Sequence, residues 1–524
     1  MTPGLLAAIA LGVAVRLIWT YPVHKYAPDG DALLTGAQAL QILRGATPVF
    51  YTPRRMGSVE SYLHALVFLF VEPSRFAITL VPLAMGIGIV VVFALLCLEL
   101  FDSRVAVAAT FVMAVPSPAF LFWTYMPNGY PGTLFFGLLA LWLAARIARR
   151  GATPGAALVF GLVLGIGWWN CLLGVAFSAP AVVWLAVRRP DLFRRAALIG
   201  PAILAGLAGA TPWIAYNVVH PLDSFNDPYA SRLVPGAGAL RDNVGYFVGT
   251  RLPDLLWQYN PLAASVPANG LQAALSLPAI AILVASLLLF ALLPLLDRRV
   301  LPDADDVRLR RGWWLLAGVA AVTIVLNTVT GGGGLRDHSV RYALPLMVVA
   351  AVAVALLALS LARGRRLVAA AVIAIPLLYD AAGYPLVWSP FRRELALEPA
   401  REEVLLAELE ARGVTAVVGD FWLVYPYNFV SRERLHGVPI EAAADFLGVG
   451  ALAARAPQGW ALASRNAAEL RGWADRAGLE GTIEEIGGVP VLVPDRAPGV
   501  EPGPPTAAFL QDLRASFAPG APGG

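Results

Sequence analysis

Long apolar runs separated by short bursts of arginine set the pattern of this chain. Stretches of the length needed to cross a bilayer as a helix, roughly 20 residues, lie near 4–21, 76–100, 106–122, 131–148, 154–170, 171–187, 196–216, 272–296, 313–329, 343–361 and 367–387. They predict an α-helical polytopic membrane protein of about eleven transmembrane helices, with two adjacent runs meeting around Trp168–Asn170. The first run does not read as a cleavable signal: it lacks a positive start, carries Arg16 late, and has no small-residue cleavage site. Between the runs, 31–43 has the apolar spacing of a helix lying along the membrane surface, and Ser61–Phe70 carries another helical pattern.

Beyond about residue 388 the pattern changes. Charge becomes dense (Arg392, Arg393, Glu394, Arg401, Glu402, Glu403), and β-type runs at Val414–Val418 and Val489–Val493 alternate with helical patterns such as Asn466–Ala477. This predicts a small C-terminal α/β domain over 388–496, of ordinary domain size. Residues 1–387 form the membrane domain, whose first external loop is 22–75, and the Pro/Gly-rich tail at 497–524 reads as disordered.

Composition agrees with the pattern. Charged residues make up 14% of the 524 residues and mean hydropathy is +0.67, against about 25% charged in soluble domains. That excludes an ordinary soluble enzyme. The net charge of +4 is not gathered on one face, so no nucleic-acid footprint is expected. Cys97 and Cys171 both sit in apolar runs, which argues against a disulfide or a cysteine zinc site.

Arginine placement orients the chain. One set of short loops holds sixteen basic residues, including Arg146, Arg149, Arg150 and the group Arg308, Arg310, Arg311. The opposite, longer loops hold ten, so the first set is assigned to the cytoplasm. The N-terminus is then cytoplasmic, and the loops 22–75, 217–271 and 330–342 face outward with the C-terminal domain, toward the periplasm of a bacterial inner membrane. Chemistry is expected on the side where the elaborated loops gather.

The first external loop carries Pro28-Asp29-Gly30-Asp31-Ala32, then Phe50-Tyr51, then Met56-Gly57-Ser58-Val59-Glu60. Asp31 could be a simple helix cap and Glu60 a first-turn acid; both could equally carry proton transfer. A late external loop joins Gly331–Gly334 to Arg336, Asp337, His338, Arg341 and Tyr342, a cluster that could also anchor at the membrane interface. Its glycines do not follow a P-loop order. Arg16 could snorkel to headgroups or touch a phosphate. Trp123, Tyr125, Asn128 and Tyr130 could stack on a sugar or form an interfacial belt, and Asp223 to Asn243 could line an acceptor groove or be solvated loop. The five histidines lack zinc-type spacing.

These segments together resemble the GT-C superfamily of integral-membrane glycosyltransferases, the group of protein O-mannosyltransferases and the aminoarabinose transferase. The resemblance rests on the helix ending after Arg16, the Asp29-Gly30-Asp31-Ala32 loop, the Gly57-Ser58-Val59-Glu60 segment and the external Arg341-Tyr342-Ala343-Leu344-Pro345. Trp168-Trp169-Asn170 and Thr211-Pro212-Trp213 at helix ends are similar as well, so the likeness spans about residues 1–387. It implies a GT-C-like fold and transfer of a sugar from a polyprenyl-phosphate donor to a lipid, glycan or protein acceptor. It implies Asp29 or Asp31 as general base or metal ligand, with Glu60 as the second-loop acid. Arg341, Arg336, Arg16 and Tyr342 are then the residues expected at the donor phosphate, and His338, Asp337, Tyr51 and His24 are expected as substrate contacts. A divalent metal (Mg or Mn) on Asp29 and Asp31 stays open.

The residue types suit this chemistry. An acceptor hydroxyl or amine attacking an anomeric carbon needs a carboxylate to take its proton. The phosphate leaving group needs positive charge, which the planar fork of Arg supplies. A transporter or lipid flippase is the alternative, disfavoured by the scarcity of ionisable residues within the apolar runs and of paired broken helices. A non-catalytic anchor for the C-terminal domain is a third.

Overall fold

The computed structural model describes residues 2–26, 30–51, 56–225, 236–253, 255–256, 270–295, 306–329, 336–362, 364–394, 398–439, 459–477 and 479–494. The tail expected to be disordered lies outside them. The chain divides into two compact units: Met1–Pro22 with Pro82–Phe391, and Val23–Val81 with Arg392–Gly524.

The first unit is helical. It takes up α1 (Pro3–Tyr26) as far as Pro22, α4 (Arg75–Leu100) from Pro82 onward, α5 (Ser103–Ala114), α6 (Pro118–Tyr125), α7 (Tyr130–Arg150), α8 (Pro154–Asn170), α9 (Val175–Arg188) and α10 (Ala196–Val219). It continues through α11 (Gly236–Tyr246), α12 (Gly270–Leu292), α13 (Asp306–Val329), α14 (Pro345–Leu361) and α15 (Arg366–Glu394). Every apolar run of the sequence falls on this helical framework. Seven of the described helices are long and apolar enough to cross a membrane, and the bent pair α5–α6 makes an eighth crossing if counted as one. The runs at 154–170, 171–187 and 343–361 form shorter apolar helices. The chain is a multi-pass membrane protein.

Local chemistry sets the helix ends. Asp102 caps α5, accepting from the backbone N–H of Arg104 and Val105 at 2.9 Å. Thr153 caps α8 by accepting from Ala156 N, with Pro154 in the first turn. The run 106–122 does not form one straight helix: α5 and α6 meet at a bend of 78°. The cause is Pro116-Ser117-Pro118, where each ring removes an amide donor and biases the preceding residue away from helix.

Close backbone approach fixes α8 against α10. A Cβ on Gly161 would lie 1.9 Å from the carbonyl oxygen of Ala202, and one on Gly165 would lie 2.1 Å from that of Gly206. These small residues let two apolar helices pack backbone to backbone, the usual source of association where lipid competes equally for apolar side chains.

The second unit is α/β. Its helices are α2 (Gly30–Leu43), α3 (Val59–Phe68), α16 (Glu398–Ala411), the short turns α17 (Phe421–Val424) and α18 (Tyr427–Val430), and α19 (Ala467–Ala477). Its strands are β1 (Val414–Gly419), β2 (His436–Pro439), β3 (Gly459–Ala463), β4 (Gly481–Ile486) and β5 (Val489–Pro494). They form one sheet in the order β2-β1-β3-β5-β4. β1 runs parallel to β2 and β3, while β5 is antiparallel to β3 and β4. The β4–β5 hairpin turns on Gly487 and Gly488, at φ +61° and +79°, the double left-handed geometry that a tight hairpin needs.

Two apolar cores flank this sheet. Leu405, Leu406 and Leu409 of α16 pack on Val414 and Val417. Ala416 and Val418 instead face a core shared with Leu33, Leu34 and Ala37 of α2 and Ala65 and Phe68 of α3. The two faces of β1 thus place α2 and α3 in the same core as the C-terminal strands. Gly36 explains how closely: a Cβ there would sit 2.7 Å from Ile78 and 2.8 Å from Phe429.

Candidate functional site

In the α/β unit, α2 begins at Gly30, so Asp31 stands in its first turn. Asp29 lies outside the described residues, as do the side chains of Asp31 and His24. The helix is held by its apolar face and by Gln38, whose Nε2 donates to the Phe50 carbonyl at 2.9 Å. Phe50 pairs with Gly57 in an isolated antiparallel bridge. Tyr51 is buried beside that bridge, with its hydroxyl 3.5 Å from Met56 Sδ.

The chain then enters α3, where Glu60 is 1% exposed. His64, one turn on, lies between two carbonyl oxygens: Nδ1 is 2.7 Å from that of Glu60 and Nε2 is 2.8 Å from that of Ile78. Burial pulls its pKa down to about 4, so the ring is neutral near pH 7 and donates to one of these oxygens at a time. Among the described residues, the hydroxyls of Ser58 and Ser61 and the Oε1 of Gln38 are buried without hydrogen-bond partners. Such groups have capacity for a ligand. Nothing in the sequence pattern singled out Gln38 or Ser61.

In the membrane unit, Arg341 and Tyr342 close the 3-10 turn Arg336–Ala343, immediately before α14. The Arg341 guanidinium carbon lies 5.2 Å from the Trp123 ring, 5.7 Å from Tyr130 and 5.3 Å from Tyr342. Trp123 and Tyr130 are themselves packed edge to face at 5.8 Å. The cation therefore sits against three aromatic rings, a setting that holds charge by cation–π attraction where water is scarce. The side chains of Arg336, Asp337 and His338 in the same turn fall outside the described residues, as do Gly331–Gly334.

Two residues that the sequence left unassigned brace this turn. Asn327, near the end of α13, donates to the Tyr342 carbonyl at 2.9 Å. Arg251, 3% exposed, donates to the Asn327 carbonyl at 3.1 Å and to its Oδ1 at 3.2 Å. Burial pulls the Arg251 pKa below its ordinary value, countered by Tyr246 and Tyr342, and it remains a cation. A polar Asn in the last turns of an apolar helix was the available signal.

On the aromatic side, Gly129 adopts φ +84° at the start of α7, and Asn170 at the end of α8 donates to its carbonyl at 2.8 Å. Asn170 also donates to Thr133 Oγ1 at 3.3 Å. The Asn of Trp168-Trp169-Asn170 therefore pins the loop that presents Asn128 and Tyr130.

Arg16 is elsewhere. It is 1% exposed, so it does not snorkel. Its Nη1 donates to the carbonyls of Gly12 and Ala114, both at 3.1 Å, and its Nη2 to that of Met113 at 3.2 Å. Asp223 accepts from the Tyr216 hydroxyl at 2.6 Å, which ties the C-terminal end of α10 to the turn after it. Asp420 follows β1 directly, with the side chains of Phe421 and Trp422 outside the described residues. Among the described residues no three His, Cys, Asp or Glu are grouped to hold a metal ion.

No protein-family model matches the sequence, and no curated protein matches it either. Solved structures do. ArnT from Cupriavidus metallidurans bound to undecaprenyl phosphate superposes with a TM-score of 0.61 at 12% identity, covering 95% of this chain and 99% of ArnT. The same protein in its apo state gives 0.54 at 13% identity, covering 92% and 97%. The chain therefore shares the ArnT fold along nearly its whole length, as the GT-C-like reading of the sequence expected.

Proposed function

We propose that this chain, which has the ArnT fold, is a membrane glycosyltransferase using a polyprenyl-phosphate-linked sugar as donor. The observation that carries the reading is Arg341, a guanidinium set among Trp123, Tyr130 and Tyr342 at the entrance to an apolar helix. A lipid phosphate is the ligand that unites a long apolar chain with an anion, and a planar fork held by rings matches two phosphate oxygens. The ArnT structure with undecaprenyl phosphate supports the donor class.

In the proposed reaction, Asp31 or Asp29 takes the proton from the acceptor hydroxyl or amine as its heteroatom attacks the anomeric carbon. The bond from that carbon to the phosphate oxygen breaks, and the electron pair leaves with the polyprenyl phosphate. Arg341, with Arg336 five residues earlier in the same segment, stabilises the charge that develops there. Glu60 is assigned to the same acidic site, and the hydroxyls of Ser58 and Ser61, which have no hydrogen-bond partner among the described residues, suit sugar hydroxyls. Tyr342 is assigned with Arg341 to the donor phosphate, and Asp337, His338, Tyr51 and His24 are assigned as substrate contacts, on the periplasmic side of a bacterial inner membrane.

The test is sugar transfer from polyprenyl-phosphate donors by protein in nanodiscs. Asp29→Asn, Asp31→Asn and Glu60→Gln are each compared with the unaltered chain. Loss of the base is expected to lower turnover about 10²–10⁴-fold. Full turnover in all three variants would refute the acid assignments, and lipid movement without any new glycosidic bond would establish the transporter alternative.

A further inference from the structure

Arg16 is an arginine inside the apolar first helix, and nothing in the proposed chemistry uses it. Two of its three hydrogen bonds end on one feature: Met113 and Ala114 are the last two residues of α5, and their carbonyls would be orphaned by the bend that follows; the third stays on α1, at the Gly12 carbonyl. Within the bend, the carbonyl of buried Pro116 accepts from the Tyr384 hydroxyl of α15 at 2.7 Å. Ser117 completes the bend. Its hydroxyl donates to the Leu255 carbonyl at 2.5 Å and accepts from Phe120 N, capping α6.

The neighbours hold these donors in turn. Trp19 of α1 meets the Tyr384 ring edge-on at 5.3 Å. A Cβ on Gly383 would lie 3.0 Å from Pro118, so α15 presses directly on the first residue of α6. All four helices belong to the same compact unit. Five residues beyond Pro118, α6 presents Trp123 to Arg341.

We propose that Arg16 and Tyr384 are positioning residues: together they clamp the α5–α6 bend and so aim Trp123 at the Arg341 guanidinium, setting lipid-phosphate affinity without touching the phosphate. In its second half this inference rests on the assignment of Arg341 to a lipid phosphate. An open bend in an apolar environment leaves carbonyls unpaired, a state that lipid cannot relieve. Only a forked cation reaches Met113 and Ala114 at once. Lysine keeps the charge but presents a single nitrogen.

Two readouts test it with Arg16→Lys and Tyr384→Phe in nanodiscs. The first is hydrogen exchange of the amides of 118–125 without any ligand; the clamp predicts faster exchange there than in α5 for both variants. Unchanged exchange in both overturns the clamp whatever the protein binds. The second is the Kd for undecaprenyl phosphate. Arg16→Lys is expected to weaken it about tenfold, the scale of one charge-assisted hydrogen bond, and to add nothing further in an Arg341→Gln background. A loss that persists undiminished in that background means that Arg16 acts independently and refutes positioning. If Arg341→Gln alone leaves Kd unchanged, the phosphate assignment fails, and the exchange result still decides the clamp.

Discussion

Replacing Arg341 by Gln separates a phosphate-binding guanidinium from a merely packed one. The ring distances of 5.2–5.7 Å allow roughly 0.5–1 kcal/mol per contact, up to about 2 where water is excluded. The variant therefore loses roughly 1–3 kcal/mol of local packing, seen as a modest drop in thermal midpoint. Ligand binding loses more. A hydrogen bond to a charged group is worth about 1.5–3 kcal/mol, and a forked contact makes two. At about 1.4 kcal/mol per decade, the undecaprenyl phosphate Kd should rise by two orders of magnitude or more. Lysine at this position keeps the charge and loses the fork and the stacking, so a rise of about tenfold is expected. The assay is titration of lipid phosphate into protein in zwitterionic nanodiscs at fixed salt, beside a melting curve. A Gln variant that melts lower yet binds within twofold of the unaltered chain would show that Arg341 is only packed, and the donor assignment would fall.

Two further outcomes follow from packing and from charge. Gly165→Ala places a methyl 2.1 Å from the Gly206 carbonyl, too close without parting α8 from α10; overpacking costs about 1–3 kcal/mol or more. The loss should appear as a lower melting temperature and, through Asn170 at the end of α8, as weaker lipid-phosphate binding. His64 makes the α/β unit acid-sensitive. Its folded pKa is about 4 against an ordinary value near 6.5, so the unfolded chain binds the proton first. Stability from this group is full above about pH 6.5 and falls as pH drops toward 4, by roughly 3 kcal/mol in all. Melting between pH 7 and 4 measures it, and His64→Asn should flatten that part of the profile; an equally steep fall in the variant would acquit His64.

The helices were legible because a bilayer imposes length and apolarity on each crossing. The surface helix read over 31–43 is α2, and the runs Val414–Val418 and Val489–Val493 are β1 and β5. Asn466, read as the start of a helix, caps α19 by accepting from Ala468 N at 2.9 Å. The sheet was only partly legible. β2 and β3 have four and five residues, too few for periodicity to register, and the alternation in β4 runs largely through polar side chains. What hydropathy could not show is that α2 and α3 share a core with β1. A helix amphipathic enough to lie on a membrane surface is also amphipathic enough to lie on a sheet, and the pattern of either is the same.

The candidate site was legible in residue type and not in partnership. Arg341 was visible as an arginine beside an apolar run, but its aromatic setting is drawn from α6 and α7, about two hundred residues away in the chain. Arg16 shows the limit more sharply. A guanidinium late in an apolar helix has two common outlets, headgroups or an anion, and hydropathy gives no sign of the partners found here, the carbonyls of Met113 and Ala114 just before Pro116 and Pro118. In a low-dielectric interior the nearest unsatisfied dipole captures a buried cation, and where that dipole lies depends on bends in other helices. Composition thus fixes how many charges the membrane unit must accommodate, while the breaks in its helices decide which of them remain free for a ligand.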